Sequence, residues 1–456
     1  MPIPSLSRRL RTGLRWCRNG ALCGSVVYLA AGFLSLRLVR EPETVLEASL
    51  APLTLLPYAA AHDAEDEGGI PTAEGTVVRG VLSVHTGRSH DAEGSLEQVA
   101  LAARRTGLDF VVLGDHPGDW MEEGPNVMEP RHEEGVLLVP GLELVVSGVG
   151  RTLAVGLDTL PARWEGSVES LSARADSLGG FLSVVHPRSP RSRERWNGLA
   201  APGVHAWESF DISEMARLRL KDPWAAYHVA SFLGSLAVGR GDASLRGLWR
   251  ERTATPALLS YDSARASRPL ALTGGLNHHP KARWGDALFP AYEPFFRTVV
   301  NHVLLGPEGL DPDPVTARGQ ILAALKAGRV YVTLGNPAGA EGFHLDGVKA
   351  EGPPLEMGDR APWTPGAELR LQLPRGGGRG LLVRILRDGR EAAWVRAAAG
   401  EELRWSTREP GVYRVEVFQA GLRLGAMRLG FRPWILSNPV EFYRDPPPAE
   451  GTGSNP

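Results

Sequence analysis

The side chains able to do chemistry in this chain are histidines and carboxylates, and they recur where apolar runs end. His85 closes the run Val81-Leu82-Ser83-Val84, with His90 and Asp91 in the loop that follows. Gly114-Asp115-His116 closes another run, Pro140-Gly141-Leu142-Glu143 a third, and Val185-His186-Pro187 a later one. Asn277-His278-His279 follows Thr273-Gly274-Gly275-Leu276. Imidazole nitrogens and carboxylate oxygens together are donors for divalent metals, which acidify water for hydrolysis. The only cysteines, Cys17 and Cys23, precede all of these residues. Thiolate ligands and a disulfide framework are thereby excluded from the rest of the chain, and any metal must be held by His, Asp and Glu. A single His after a strand is ordinarily a loop or packing residue, and a single Glu a surface carboxylate. Repetition of such residues at successive strand ends, with no comparable cluster at the strand starts, points instead to one shared site.

The elements that must position these residues read as alternating strands and helices. Val77 to Val84 is a strand, and Ser95 caps a helix whose Leu96, Val99, Ala102 and Ala103 share a face before Gly107 ends it. Leu108 to Leu113 is a continuous apolar run, as in a strand covered on both faces. Strands are expected at Val136 to Val146, Thr152 to Leu157, Phe181 to Val185, Val204 to Phe210, Leu270 to Thr273 and in the last part of 320–334. Helices are expected near Ser167 to Leu178, Met215 to Phe232 and Pro256 to Ala266. Repeated βα units imply a parallel sheet, most economically closed into a barrel with all strand C-termini at one mouth. Beyond Asn336 the segments Leu369 to Leu373, Leu381 to Arg387, Ala393 to Ala397, Gly411 to Gln419 and Leu422 to Leu429 alternate in character, as in a small antiparallel β-sandwich.

The stretches 84–95 and 107–116 resemble the opening of a PHP domain, named for polymerase and histidinol phosphatase. The resemblance continues through Pro140 to Glu143, Gly179 to Pro187 and Thr273 to Pro280. The segments 323–331 and 433–439 look like the exported CehA/McbA-type metallohydrolase branch. The resemblance implies an α/β fold with a distorted, TIM-like (βα)7 barrel followed by the β-sandwich. It also implies hydrolysis of phosphate or related esters with two or three Mn, Zn or Fe ions, and for this chain, given the departures below, one to three are expected. It places His85, Asp91 or alternatively His90, His116, Glu143, His186, Asn277 and His279 among the metal ligands.

Three positions depart from that pattern. Ser83 replaces the first His of a His-x-His pair, Gly150-Arg151 stands where Gly-His is usual, and Asn277 replaces an Asp. Serine and carboxamide are weak ligands, and Arg151 brings a fixed positive charge, so fewer metals than the family maximum are expected. The set Asp91, His116 and His279 is intact. Glu143 or His186 would orient the attacking water, and Arg151 would hold a small anionic or ester substrate by paired hydrogen bonds. The competing expectation is a catalytically inactive relative that keeps the fold for binding or scaffolding in the cell envelope.

The remaining features concern placement. Arg8, Arg9, Arg11, Arg15 and Arg18 precede the uncharged segment Ala21 to Leu36. That is the pattern of a single N-terminal transmembrane signal anchor with the globular part outside the cytoplasm, periplasmic in a Gram-negative cell. A cleaved signal near Ala59 to Ala61, giving a secreted protein, is the alternative. The expected divisions are 1–40 basic segment and anchor, 41–77 linker, 78–337 metal-dependent hydrolase barrel, 338–442 β-sandwich and 443–456 disordered tail. With 43% hydrophobic and 22% charged residues the chain is neither disordered nor polytopic. Its formal net charge of −2 gives no bulk attraction for nucleic acid, so no nucleic-acid partner is expected.

Overall fold

A computed structural model of the chain describes mainly residues 75–122, 128–157, 163–189, 203–212, 256–285, 287–335, 338–377, 380–420 and 431–444, with short pieces that include Glu214. The front part begins with β1 (Thr76–Val84), α1 (Leu96–Thr106), β2 (Phe110–Leu113), β3 (Val136–Val139), β4 (Gly141–Val146) and β5 (Gly150–Val155). It continues with α2 (Val168–Ser177), β6 (Phe181–Val185), β7 (Ala206–Asp211), α3 (Pro256–Arg265) and β8 (Ala271–Gly275). A hairpin, β9 (Ala282–Trp284) and β10 (Ala287–Phe289), leads through α4 (Tyr292–Phe296) to β11 (Val299–Leu305), α5 (Pro314–Ala327) and β12 (Val330–Leu334). Local signals set the helix ends. Ser95 and Gln98 close a reciprocal capping box on α1, and Gly107 ends it in the left-handed region at φ 69°.

The expected (βα)7 barrel is corrected by the pairing. Strands β1, β2 and β3 are parallel, but β11 lies antiparallel to both β1 and β12. In a second sheet β6, β7 and β8 are parallel, while β5 is antiparallel to β4 and to β6. The described residues are mostly sheet with few helices. The physical reason lies in the connections. Residues 147–149 alone separate β4 from β5, whereas a parallel pair needs a crossover of roughly a dozen residues. Pro140, which has no N–H to donate, divides the expected strand 136–146 into β3 and β4, which lie in different sheets. The two sheets touch at their ends through bridges Val84 to His278 and Asp115 to Leu142, which bring the chemically active strand ends together.

The anchored, extracytoplasmic placement is likewise corrected. Among the described residues no helix is long and apolar enough to cross a membrane, and the segment 21–36 expected to do so lies outside them. The same holds for most of the helix expected at 215–232.

Parallel strands covered on both faces explain the two apolar layers of the front part. Val81, Val111, Leu138, Leu182 and Leu272 face one layer, while Val78, Phe110, Val112 and Leu137 face another that α5 covers with Ile321 and Leu325. In the back part, β13 (His344–Val348), β14 (Glu368–Gln372) and β17 (Glu402–Ser406) form one antiparallel sheet. β15 (Leu381–Arg387), β16 (Arg390–Ala397), β18 (Gly411–Ala420) and β19 (Phe431–Ser437) form another. Between them lies a core that includes Leu369, Leu371, Val383, Val415, Val417 and Trp434. Because β19 pairs with β12, one sheet runs continuously from front to back. Asn438 reinforces the join by accepting from Leu272 N (2.7 Å) and donating to Leu272 O (2.8 Å) and Val330 O (2.7 Å).

His302, on β11, shows how this core responds to acid. It is fully buried, stacks on Tyr331 with ring centroids 4.5 Å apart, and pairs through Nε2 with Thr333 Oγ1 at 3.1 Å. Burial, aided by Arg79, pushes its pKa down from 6.5 to about 3. The unfolded chain therefore binds this proton more readily, and stability present above pH 6.5 is lost as the pH falls toward 3. At pH 5 the loss from this residue is about 2 kcal/mol, at 1.36 kcal/mol per unit. Urea unfolding at pH 7 and pH 5 should show His302→Gln losing less stability on acidification than the parent. An equal loss in both proteins would contradict the assignment.

Candidate metal centre

The loop after β1 is built around Asp115. Its carboxylate accepts from Thr86 N (2.6 Å), Thr86 Oγ1 (2.9 Å) and Ser89 Oγ (2.8 Å). Ser89 Oγ in turn accepts from His116 N at 3.0 Å and lies 3.1 Å from His85 Nδ1. As Ser89 gives its own proton to Asp115, it accepts the Nδ1 proton of His85, which leaves the Nε2 lone pair of His85 facing inward. His279 is fixed in the same sense. Its Nδ1 donates to Asn277 O at 3.0 Å, so Nε2 is again the free nitrogen. Ser83, His186 and Asn277 adopt left-handed backbone at φ 61°, 52° and 45°, a conformation rare for side-chain-bearing residues and concentrated here beside the site.

His85, Asp91, His116 and His279 come together with one ligand atom from each within 4.8 Å of all the others. Asp91 Oδ1 lies 3.5 Å from His279 Nε2 and 3.9 Å from His116 Nε2. His85 and His279 stack with centroids 3.7 Å apart. Three buried polar atoms here, Asp91 Oδ1, His85 Nε2 and Glu143 Oε2, make no hydrogen bond. Leaving such atoms unsatisfied is costly, and a divalent cation in the group would satisfy Asp91 Oδ1 and His85 Nε2. The donor set of three imidazoles and a carboxylate therefore fits a divalent metal. The electrostatics agree. Burial, and then His85, depress His279 to about pKa 2, and burial also lowers His116, so both imidazoles are neutral and able to ligate at neutral pH. Burial alone would raise Asp91, but His279, Lys281 and His116 outweigh it and hold the carboxylate ionised.

The other expected ligands lie elsewhere. His90 is exposed and stands outside the group, its ring 5.1 Å from that of His116. Asn277 contributes its backbone oxygen to His279 as described. Glu143 is fully buried between two histidines, with Oε2 3.3 Å from His85 Nε2 and Oε1 3.5 Å from His186 Nε2. Burial would raise its pKa, yet His186 and His85 hold it well below the usual carboxylate range. Arg151 donates to Glu143 Oε1 at 2.6 Å and approaches His116 Nδ1 at 3.4 Å. A guanidinium only donates, so this approach favours the His116 tautomer with its proton on Nε2, opposing ligation through that nitrogen. Lys281 Nζ also holds Asp91 Oδ2 at 2.8 Å. A cavity of about 550 Å³ opens beside the cluster, lined in part by Arg88, His90 and Trp120.

His186 belongs to a second set of neighbours that the sequence reading missed. Its Nδ1 is 2.6 Å from Asp211 Oδ2 and 4.0 Å from Glu214 Oε1, and its backbone N–H donates to Glu208 Oε2 at 2.9 Å. Burial and then Asp211 raise Glu208 well above the carboxylate range and push Glu214 up to about 8. Glu208, a carboxylate inside the expected strand 204–210, was the one available signal, and the observed strand runs on to Asp211.

No protein-family model matches the chain, and no curated protein matches it. Solved structures with similarity to the chain include two endonucleases. One is endonuclease Q in complex with a 27-mer duplex substrate carrying an abasic lesion at the active site, 17% identical with a TM-score of 0.25, covering 31% of this chain and 45% of that one. The other is the lesion-specific endonuclease PfuEndoQ from Pyrococcus furiosus, 14% identical with a TM-score of 0.33, covering 59% of this chain and 62% of that one. The chain thus spans less than two thirds of either. Neither likeness is close enough to assign the chain to a family, and neither bears out the CehA/McbA branch. The expectation that nucleic acid is no partner is corrected and withdrawn, since one of these structures is a complex with duplex DNA.

Proposed function

We propose that the chain is a metal-dependent hydrolase of anionic esters, phosphate esters first, with a dication held by His85, Asp91, His116 and His279. The observation that carries this reading is Asp91 Oδ1, a buried carboxylate oxygen without a hydrogen-bond partner that faces two imidazole nitrogens at 3.5 and 3.9 Å. A divalent ion held there would supply the acidification of water that ester hydrolysis at neutral pH requires. Glu143, which His186 and then His85 keep ionised, would orient that water from its buried place 3.3 Å from His85 Nε2. Arg151, whose side chain is 23% exposed, would turn from Glu143 to pair with an anionic substrate.

A silent, metal-binding relative is the second reading. It is favoured by the contacts of Arg151 with Glu143 and Lys281 with Asp91, each a fixed cation on a carboxylate of the cluster. The full chain, stripped of metal and reloaded with Zn²⁺ or Mn²⁺, should be assayed on p-nitrophenyl phosphate, bis(p-nitrophenyl) phosphate, p-nitrophenyl acetate and a duplex with an abasic site. Turnover of a phosphate substrate that chelator abolishes is the expected result. Arg151→Gln should bind Zn²⁺ about 10-fold more tightly, by releasing the His116 tautomer, and should lose kcat/KM on anionic substrates. Metal binding without turnover on any substrate would overturn the enzyme reading in favour of the silent one.

A further inference from the structure

Behind the cluster of imidazoles, His186, Asp211 and Glu214 bring one ligand atom each within 4.8 Å of one another, all of them buried. Glu214 is 6% exposed, and its Oε1 is sealed from solvent without a hydrogen-bond partner, 4.0 Å from His186 Nδ1. Glu208 completes the wall. Its carboxylate takes the backbone N–H of His186 at 2.9 Å and fits only because residue 275 is glycine, where a Cβ would lie 1.5 Å from Glu208 Oε1. With Glu143 on the opposite side of the imidazole, four buried carboxyl groups surround His186. Of the nearby guanidinium groups, Arg151 is bound to Glu143 and Arg217 to Glu194 at 3.1 Å. Burying that many acids beside one imidazole is costly unless a positive charge compensates them.

We propose that His186, Asp211 and Glu214 form a second divalent-cation site, distinct from the imidazole-rich one and suited to a harder ion such as Mn²⁺. The choice of ion follows from the donors. The first cluster offers three imidazoles and one carboxylate, which suits Zn²⁺, whereas the second offers one imidazole and two carboxylates, with Glu208 at its edge. Glu143 stands between the two clusters, with one oxygen toward His85 Nε2 and the other toward His186 Nε2, across the ring from Asp211 and Glu214. The site depends on side chains alone and stands whether or not the protein proves to be a hydrolase.

The test counts ions. Metal-free full-length protein is given one equivalent of Zn²⁺ and then titrated with Mn²⁺, the free ion being read by electron paramagnetic resonance. The Zn²⁺-loaded parent is expected to take up one equivalent of Mn²⁺. Glu214→Gln, which keeps the shape and removes the charge, should weaken Mn²⁺ uptake at least about 10-fold and leave Zn²⁺ content unchanged. Asp91→Asn should do the reverse. Failure of the Zn²⁺-loaded parent to bind Mn²⁺ overturns the proposal without recourse to any variant, as does Mn²⁺ uptake by Glu214→Gln equal to that of the parent. Absence of ester hydrolysis alongside normal Mn²⁺ uptake would overturn only the proposed activity.

Discussion

His279→Ala is expected to lose the bound Zn²⁺ and at least about 10³-fold in metal-dependent hydrolysis. The size follows from the several kcal/mol that a metal contributes to charge stabilisation, at 1.36 kcal/mol per tenfold in rate. His279 is placed to matter because Asn277 O anchors Nδ1 and aims Nε2 at Asp91 Oδ1, and because burial keeps the ring neutral. Its neighbour His278 supplies the control. That ring turns the other way, packs on Phe295 at 3.9 Å between centroids and pairs through Nε2 with Pro290 O at 3.2 Å. His278→Ala should therefore lower stability and spare Zn²⁺ binding. Metal content by mass spectrometry, together with thermal unfolding, separates the two outcomes. Retention of Zn²⁺ by His279→Ala would remove that residue from the site.

Arg414→Met should destabilise the protein by about 3 to 5 kcal/mol in urea unfolding, the range for breaking a buried ion pair by removing one partner. Arg414 is 2% exposed on β18 and reaches back to α3, donating to Asp262 Oδ1 at 2.9 Å and Oδ2 at 2.7 Å. It also donates to Glu416 Oε1 at 2.7 Å. Glu416 keeps Arg384, 3.3 Å away, after the substitution, so the orphaned charge is chiefly Asp262. Adding Asp262→Asn to Arg414→Met should consequently recover part of the loss. No recovery in the double variant would show that lost packing, rather than the orphaned charge, sets the cost.

The gathering of His85, Asp91, His116 and His279 was legible because strand ends are. Apolar runs such as 81–84 and 110–113 terminate visibly, and the residue types that follow them announce donors. The cap of α1 was legible too, since Ser95 and Gln98 act on each other over three residues. Pairing direction was not, because the alternation of β5 says nothing of which neighbour it joins; only the short link to β4 carried that information. Strand β11 escaped notice because Asn301 and His302 interrupt its apolar run. Their partners, Gly274 and Thr333, are distant in sequence, with Asn301 bonded to both backbone groups of Gly274 at 2.9 and 2.8 Å. Arg151 was read as a charge in an imidazole's place, but its hold on Glu143 is a fact of geometry alone. Asp211 and Glu214 were hidden for the same reason, since nothing local in the sequence joins them to His186.

Anomalous diffraction at the zinc edge from crystals of the protein carrying one equivalent of Zn²⁺ tests the metal centre most directly. The arrangement predicts one strong peak among His85, Asp91, His116 and His279, with nitrogen and oxygen ligands at about 2.0 to 2.2 Å. A peak elsewhere with this position blank, or Zn²⁺ held by surface groups only, would contradict it.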